Sequence, residues 1–159
     1  LMAAGLPPMA AAALPVGAMA PDYLGKSRSG EPVTVSAMAG KPVIVTFWAS
    51  WCAPCLQEMP LLEALQQKLG RERIEVVAVN WGEGQDRYRQ ILGQLSQVQM
   101  TLTHDRHQLI GRTYEVSEIP QLYLIGTDGR IAYQSKGYSL ESAQGLLDAL
   151  NGMLQRNDP

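Results

Sequence analysis

Val43-Ile44-Val45-Thr46-Phe47-Trp48-Ala49-Ser50-Trp51-Cys52-Ala53-Pro54-Cys55 is the stretch on which the fold turns. Residues 43–48 are mostly β-branched or aromatic with little alternation, as expected of a central strand buried on both faces. A helical pattern follows from about Ala53 to Leu69, with Met59, Leu62, Leu65 and Leu69 at helical spacing and Gly70 where a stop belongs. The only two cysteines of the chain, Cys52 and Cys55, sit at the junction of strand and helix. A bridge between them would close a tiny loop and remove little entropy from the unfolded chain. Stabilisation is therefore a poor reason for it, and a disulfide that is made and broken is the better reading.

Outward from this stretch the chain reads as one domain. Its 159 residues suffice for a core without staples, and its 46% hydrophobic content is ordinary. A net charge of −2 with no basic stripe argues against nucleic acid as a partner. No apolar run approaches the roughly 20 residues of a membrane-spanning helix. Residues 1–16 are uncharged and rich in Ala, Met and Pro, and are expected to be a flexible lead-in or the remnant of a targeting segment. Ala18-Met19-Ala20 resembles a small-residue cleavage site, yet no basic leader precedes it. A chain starting with Leu is expected where a targeting segment has been removed. The domain is expected over 17–155, with 156–159 as a tail.

The remaining elements follow from pattern. Val33–Val35 reads as a short strand and Ile74–Trp81 as a second buried one. A helix is expected from Gln85 to Leu95, a short strand at Met100–Thr103, and a brief helix to Tyr114 with Asp105 as N-cap. Gln121–Ile125 and Arg130–Gln134 flank the turn Gly126-Thr127-Asp128-Gly129 as a hairpin. Ser139 caps a final helix with Leu140, Ala143, Leu147, Leu150 and Leu154 on one side. The order predicts an α/β fold, a mixed central sheet with helices on both faces.

The cysteine positions suit thiol exchange. The attacking species is a thiolate, and a free cysteine has a pKa of roughly 8.5. At a helix N-terminus, unpaired N–H groups and the dipole favour the anion of Cys52. Pro54 suits a first turn, where an N–H has no helical partner. Cys55, three positions on, returns to the same helix face. Cys52 is thus expected to be the exposed attacker and Cys55 the buried resolving thiol. Pro60 removes a bond to the carbonyl of Leu56 and is expected to kink the helix. Trp48 and Trp51 are placed to shield the sulfurs, although packing is the default for such residues. Most X-Pro bonds are trans, so spacing alone assigns no cis bond to Ile119-Pro120.

Residues 47–55, with Pro60 and Ile119-Pro120, together resemble the thioredoxin superfamily. Within it the chain is similar to the extracytoplasmic TlpA/ResA/DsbE-like branch, on Ala20-Pro21-Asp22-Tyr23, Gly40-Lys41-Pro42, Glu58-Met59-Pro60 and Val79-Asn80-Trp81-Gly82-Glu83. The resemblance implies a thioredoxin-like fold with an N-terminal β extension and an inserted helix. It implies a thiol–disulfide oxidoreductase with Cys52 and Cys55 as redox pair, and no cofactor beyond their disulfide. It makes Pro120 a cis-proline facing that pair, beside which the Ile119 backbone would take an extended substrate segment. Trp51, Pro54, Ile119 and Gln121 become substrate contacts, and Glu58 a carboxylate near the thiols that tunes them or shuttles a proton. Implied partners are disulfide-containing proteins, apocytochrome c or copper-site assembly proteins by analogy, and a membrane thiol donor. The protein is expected to be a monomer in the periplasm or another extracytoplasmic space, anchored or secreted.

Two positions depart from the superfamily pattern. Thr46 stands where cytoplasmic thioredoxins have a buried aspartate and where this branch often has asparagine; it cannot titrate, so a proton relay must use Glu58 or water. Gln121 replaces the usual threonine after the cis-proline. Competing readings are an oxidase or isomerase of the same fold, a copper-binding module, and a peroxidase. Zinc normally needs four ligands, and the chain adds only His104 and His107, which read as surface or capping residues. Ala49 stands where a peroxidase of this kind would carry Thr. The methionines are scattered and read as core or linker. Trp81 and Glu83 follow the second strand, where packing and loop capping compete with a role in the site.

Overall fold

In the computed structural model the central strand is paired on both edges and buried on both faces, the burial being what its unalternating sequence requires. The structure describes Gly5 and residues 13–157. Most of the expected lead-in and the last two residues of the expected tail lie outside that range. The chain forms β1 (Tyr23–Lys26), β2 (Pro32–Thr34), β3 (Val43–Trp48), α1 (Ala53–Leu69), β4 (Glu75–Trp81), α2 (Gln85–Gln94), β5 (Thr101–Asp105), α3 (Leu109–Thr113), β6 (Gln121–Ile125), β7 (Ile131–Lys136) and α4 (Leu140–Asn157). Five strands make one sheet in the order β5-β4-β3-β6-β7. β3, β4 and β5 run parallel, while β6 runs antiparallel to both of its neighbours, β3 and β7, so the sheet is mixed as expected.

Successive residues of these strands enter two apolar cores. Ile44, Trp48, Val76, Ala78, Leu122 and Leu124 face a core shared with α1 and α4. Val43, Val45, Phe47, Val77, Val79 and Tyr123 face the other, with Leu24, Ile110 and Tyr114. Side chains still alternate in space with period two; both faces are covered, so the sequence shows no alternation.

The N-terminal extension is a hairpin, β1 against β2, and β1 was not expected from the sequence. β1 packs on the β5 edge, where Thr103 donates to the Leu24 carbonyl at 2.6 Å. Gly25 allows this approach: its φ is +102°, and a Cβ there would lie 2.9 Å from Thr103 Cβ. Leu14 N–H donates to the Tyr123 hydroxyl at 3.2 Å. Packing of the domain thus reaches back at least to Ala13, beside the second core.

Several boundaries moved. The strand expected at Met100–Thr103 extends to Asp105, because β4 supplies partners as far as Trp81. Asp105 ends that strand, and Gln108 is the N-cap of α3. The Asp105 carboxylate nevertheless accepts from Ile110 N–H at 3.1 Å and Gly111 N–H at 2.7 Å. Helix α1 continues through Pro60, and Pro60 and Leu56 both lie on its exposed side, where water reaches the freed carbonyl. Ser139 caps α4, its hydroxyl accepting from Ser142 N–H at 3.0 Å. The buried stripe of α4 is Leu146, Leu150, Met153 and Leu154, and Leu140 is exposed.

Candidate active site

Cys52 and Cys55 form a disulfide at the N-terminus of α1, with Cα atoms 5.2 Å apart. Cys52 is the N-cap residue, and its sulfur accepts the Cys55 N–H at 3.3 Å. Leu56 N–H bonds the Cys52 carbonyl, closing the first turn. A negative charge on Cys52 Sγ would therefore meet an N–H already aimed at it, together with the positive end of the helix. Cys55 has no exposed surface, and Cys52 keeps 4%. That rim is far smaller than an exposed attacker suggests.

Across the sulfurs lies the loop before β6. The Ile119-Pro120 peptide is cis, and the Ile119 carbonyl lies 3.7 Å from Cys52 Sγ. A bonded sulfur carries no proton, so this is a contact in the disulfide and a hydrogen bond only in the dithiol. The Pro120 carbonyl is held by Gly137 N–H at 2.8 Å. Pro54 is exposed beside the pair, and Trp51 and Leu56 expose 69% and 50% of their surface. Trp48 is buried in the core that contains both cysteines.

Gln121 stands apart from the other expected contacts. Its side chain is fully buried. It accepts from Ser117 N–H at 3.2 Å and donates to the Glu115 carbonyl and the Tyr123 hydroxyl at 3.3 and 2.8 Å. It shapes the cis-proline loop from beneath and has no surface to offer a substrate.

Glu58 lies one turn beyond Cys55 on the buried face of α1, 4% exposed. The Thr46 hydroxyl, on the central strand, donates to its Oε1 at 2.6 Å. Burial pushes the carboxyl up to about 7, and the Thr46 bond acts in the opposite direction. A threonine that cannot titrate thus holds a glutamate that does. The sequence presents both residues but not their contact.

A second carboxylate organises the approach to Cys52. Glu83 accepts from Ser50 N–H at 2.9 Å, Ser50 Oγ at 2.5 Å and Asn80 Nδ2 at 2.6 Å. Burial opposes its charge, but these bonds and the Arg87 guanidinium hold its carboxyl below the usual range. The loop-capping reading of Glu83 matches this geometry, with the motif's own Ser50 as the capped group. His104 stacks on Tyr88 with ring centroids 4.1 Å apart, and its Nε2 lies 2.6 Å from the Glu83 carbonyl; His107 is exposed.

A thioredoxin-like sheet that presents a Cys-X-X-Cys disulfide at a helix start, opposite a cis-proline, defines a thiol–disulfide oxidoreductase. The chain belongs to the AhpC/TSA family, whose profile matches residues 16–134. It is 28% identical over 126 residues to the thiol-disulfide oxidoreductase ResA of Bacillus subtilis, covering 79% of this chain and 70% of that protein. It is 34% identical over 117 residues to the thioredoxin-like protein YneN of the same organism, covering 72% and 68%. Among solved structures, one assigned as a thiol:disulfide interchange protein DsbE from Chlorobium tepidum superposes with a TM-score of 0.80 at 30% identity, covering 89% of this chain and 99% of that one.

Proposed function

We propose that the chain is an extracytoplasmic dithiol reductant of specific protein disulfides, with Cys52 as attacker and Cys55 as resolving thiol. The observation that carries this assignment is the asymmetry of the pair: only Cys52 has surface, and only its sulfur receives an N–H at the helix start. The Cys52 thiolate attacks one sulfur of the target, and the other target sulfur leaves as a thiolate that takes a proton from solvent. Cys55 then loses its proton to Glu58 and attacks Cys52 Sγ, releasing the second target sulfur and closing the disulfide. Two electrons pass to the target, and a thiol donor at the membrane returns them.

The Ile119 backbone beside Pro120 receives an extended target segment, and Trp51 and Pro54 flank it. Apocytochrome c and copper-site assembly proteins are the target classes implied by the branch. The reducing direction is likewise what that resemblance implies. No helix among the described residues is long and apolar enough to cross a membrane.

Trapping tests the roles. Cys55→Ser should accumulate a mixed disulfide on Cys52, whereas free release of reduced target would remove Cys55 from the mechanism. Equilibrium titration against glutathione tests direction: a strongly reducing potential supports the reductant, and an oxidising one overturns it.

A further inference from the structure

We propose that Glu58 exchanges its proton with solvent through the cleft between α1 and the corner joining β7 to α4, by way of a water held by Ser135 and Tyr138. The inference rests on the reading of Glu58 as the base for Cys55 and supplies what that reading lacks, a way out for the proton.

The sheet register brings the route together. Thr46 pairs with Leu122, and Leu122 pairs with Ser135, so the three side chains share one face across β3, β6 and β7. Ser135 lies two strand spacings, roughly 10 Å, from Thr46, toward the β7 edge. Glu58 descends from α1 onto this row. Beside it is a narrow cleft whose polar lining is Glu58, Ser135, Tyr138 and Ser142, with leucine and alanine side chains making up the rest. Its water-accessible volume is about 10 Å³, which is room for one water.

The available hydrogen bonds fit such a water. Thr46 occupies Glu58 Oε1, and no protein donor among the described residues reaches the other oxygen. Buried side-chain oxygens and nitrogens without a partner are, among the described residues, only Trp48 Nε1 and Asn80 Oδ1. The free Glu58 oxygen is not one of them, so it keeps accessible surface. Ser142 Oγ is occupied, donating to the Ser139 carbonyl and accepting from Ser139 N–H. The hydroxyls of Ser135 and Tyr138 have no partner among the described residues, and both are half-buried. A water there has three partners, the usual number for a buried one.

The surroundings are otherwise uncharged. Thr46 on β3 donates to Glu58, and Leu122 on β6 lines the cleft beside it. Along α1 the redox cysteine Cys55 is one turn away. The β7–α4 corner adds Tyr138 as its one titratable group. No Lys, Arg, His, Asp or second Glu lines the cleft.

The test uses the whole chain in its disulfide form, with glutamate carboxyls labelled with carbon-13. Ser135→Val fills the cleft and removes a hydroxyl. The Glu58 titration midpoint should rise by about one unit, a tenfold change in its protonation equilibrium. Tyr138→Phe should move it the same way by less. The pH profile of mixed-disulfide resolution should follow both shifts, and neither variant should move that profile in an E58Q background. Unmoved midpoints in both variants overturn the cleft. An E58Q profile identical to the parent's overturns the base role instead, and the cleft is then decided by the midpoints alone. Should Ser135→Val fail to fold, Ser135→Ala with Tyr138→Phe removes the hydroxyls without bulk and decides the same question.

Discussion

Replacing Thr46 by Val removes one hydroxyl from the central strand and changes almost nothing else in shape. The bond lost is the 2.6 Å donation to Glu58. A hydrogen bond to a charged group contributes about 1.5–3 kcal/mol, and one to a neutral group about 0.5–1.5. Thr46 also bonds the protonated acid, so only the difference, about 1–1.5 kcal/mol, acts on the titration. One pKa unit corresponds to 1.36 kcal/mol. The Glu58 midpoint should therefore rise by about one unit from its value of about 7. The sign follows from the donor favouring the carboxylate. The assay is a carbon-13 titration of glutamate-labelled, oxidised protein, in which Glu58 stands apart by its high midpoint. Thr46→Ser, which keeps the hydroxyl, should stay near the parent value. A midpoint that is unmoved or lowered in Thr46→Val, or moved equally in Thr46→Ser, refutes the reasoning.

Glu58→Gln should remove a pH-dependent loss of stability. Between its ordinary value of 4.5 and about 7, folded Glu58 keeps a proton that the unfolded chain has released. Stability therefore falls as pH rises through that window, by up to about 3 kcal/mol. In urea unfolding of the disulfide form, Glu58→Gln should match the parent near pH 4.5 and exceed it near pH 8; parallel curves would count against a buried, neutral carboxyl. Glu83→Gln turns one acceptor of the Ser50 clamp into a donor facing donors. It should cost about 1.5–3 kcal/mol in the same unfolding assay and slow disulfide reduction. Parent-like behaviour in both measurements would mean that the clamp does not position the loop before Cys52.

The legible parts of this protein were those carried by neighbours in sequence. The strand at 43–48, the helix behind it and the cysteines at their junction follow from period, propensity and capping, all local properties. The 121–134 hairpin follows from its turn. β1 was missed because Tyr23–Lys26 is short and gains its partner only when β2 folds back and Thr103 ties it to the sheet. Leu140 belongs to the expected stripe of α4 yet is exposed in its first turn, because helical spacing defines a stripe without stating where the core begins along it. Gln121 reads as a substrate contact from its place beside Pro120. Its burial depends on Ser117, Glu115 and Tyr123, whose convergence is a matter of loop path.

By itself the sequence determined a buried strand that runs into a helix bearing a cysteine pair, which suffices for the mixed sheet and for the chemistry of the pair. Tertiary structure alone decided who stands around those sulfurs. Thr46 and Glu58 are 12 residues apart, and Cys52 and Ile119 are 67 apart. Periodicity says which face a side chain is on, but a hydrogen bond needs direction and distance between faces of different elements. Those exist only once helix and loop have packed on the sheet.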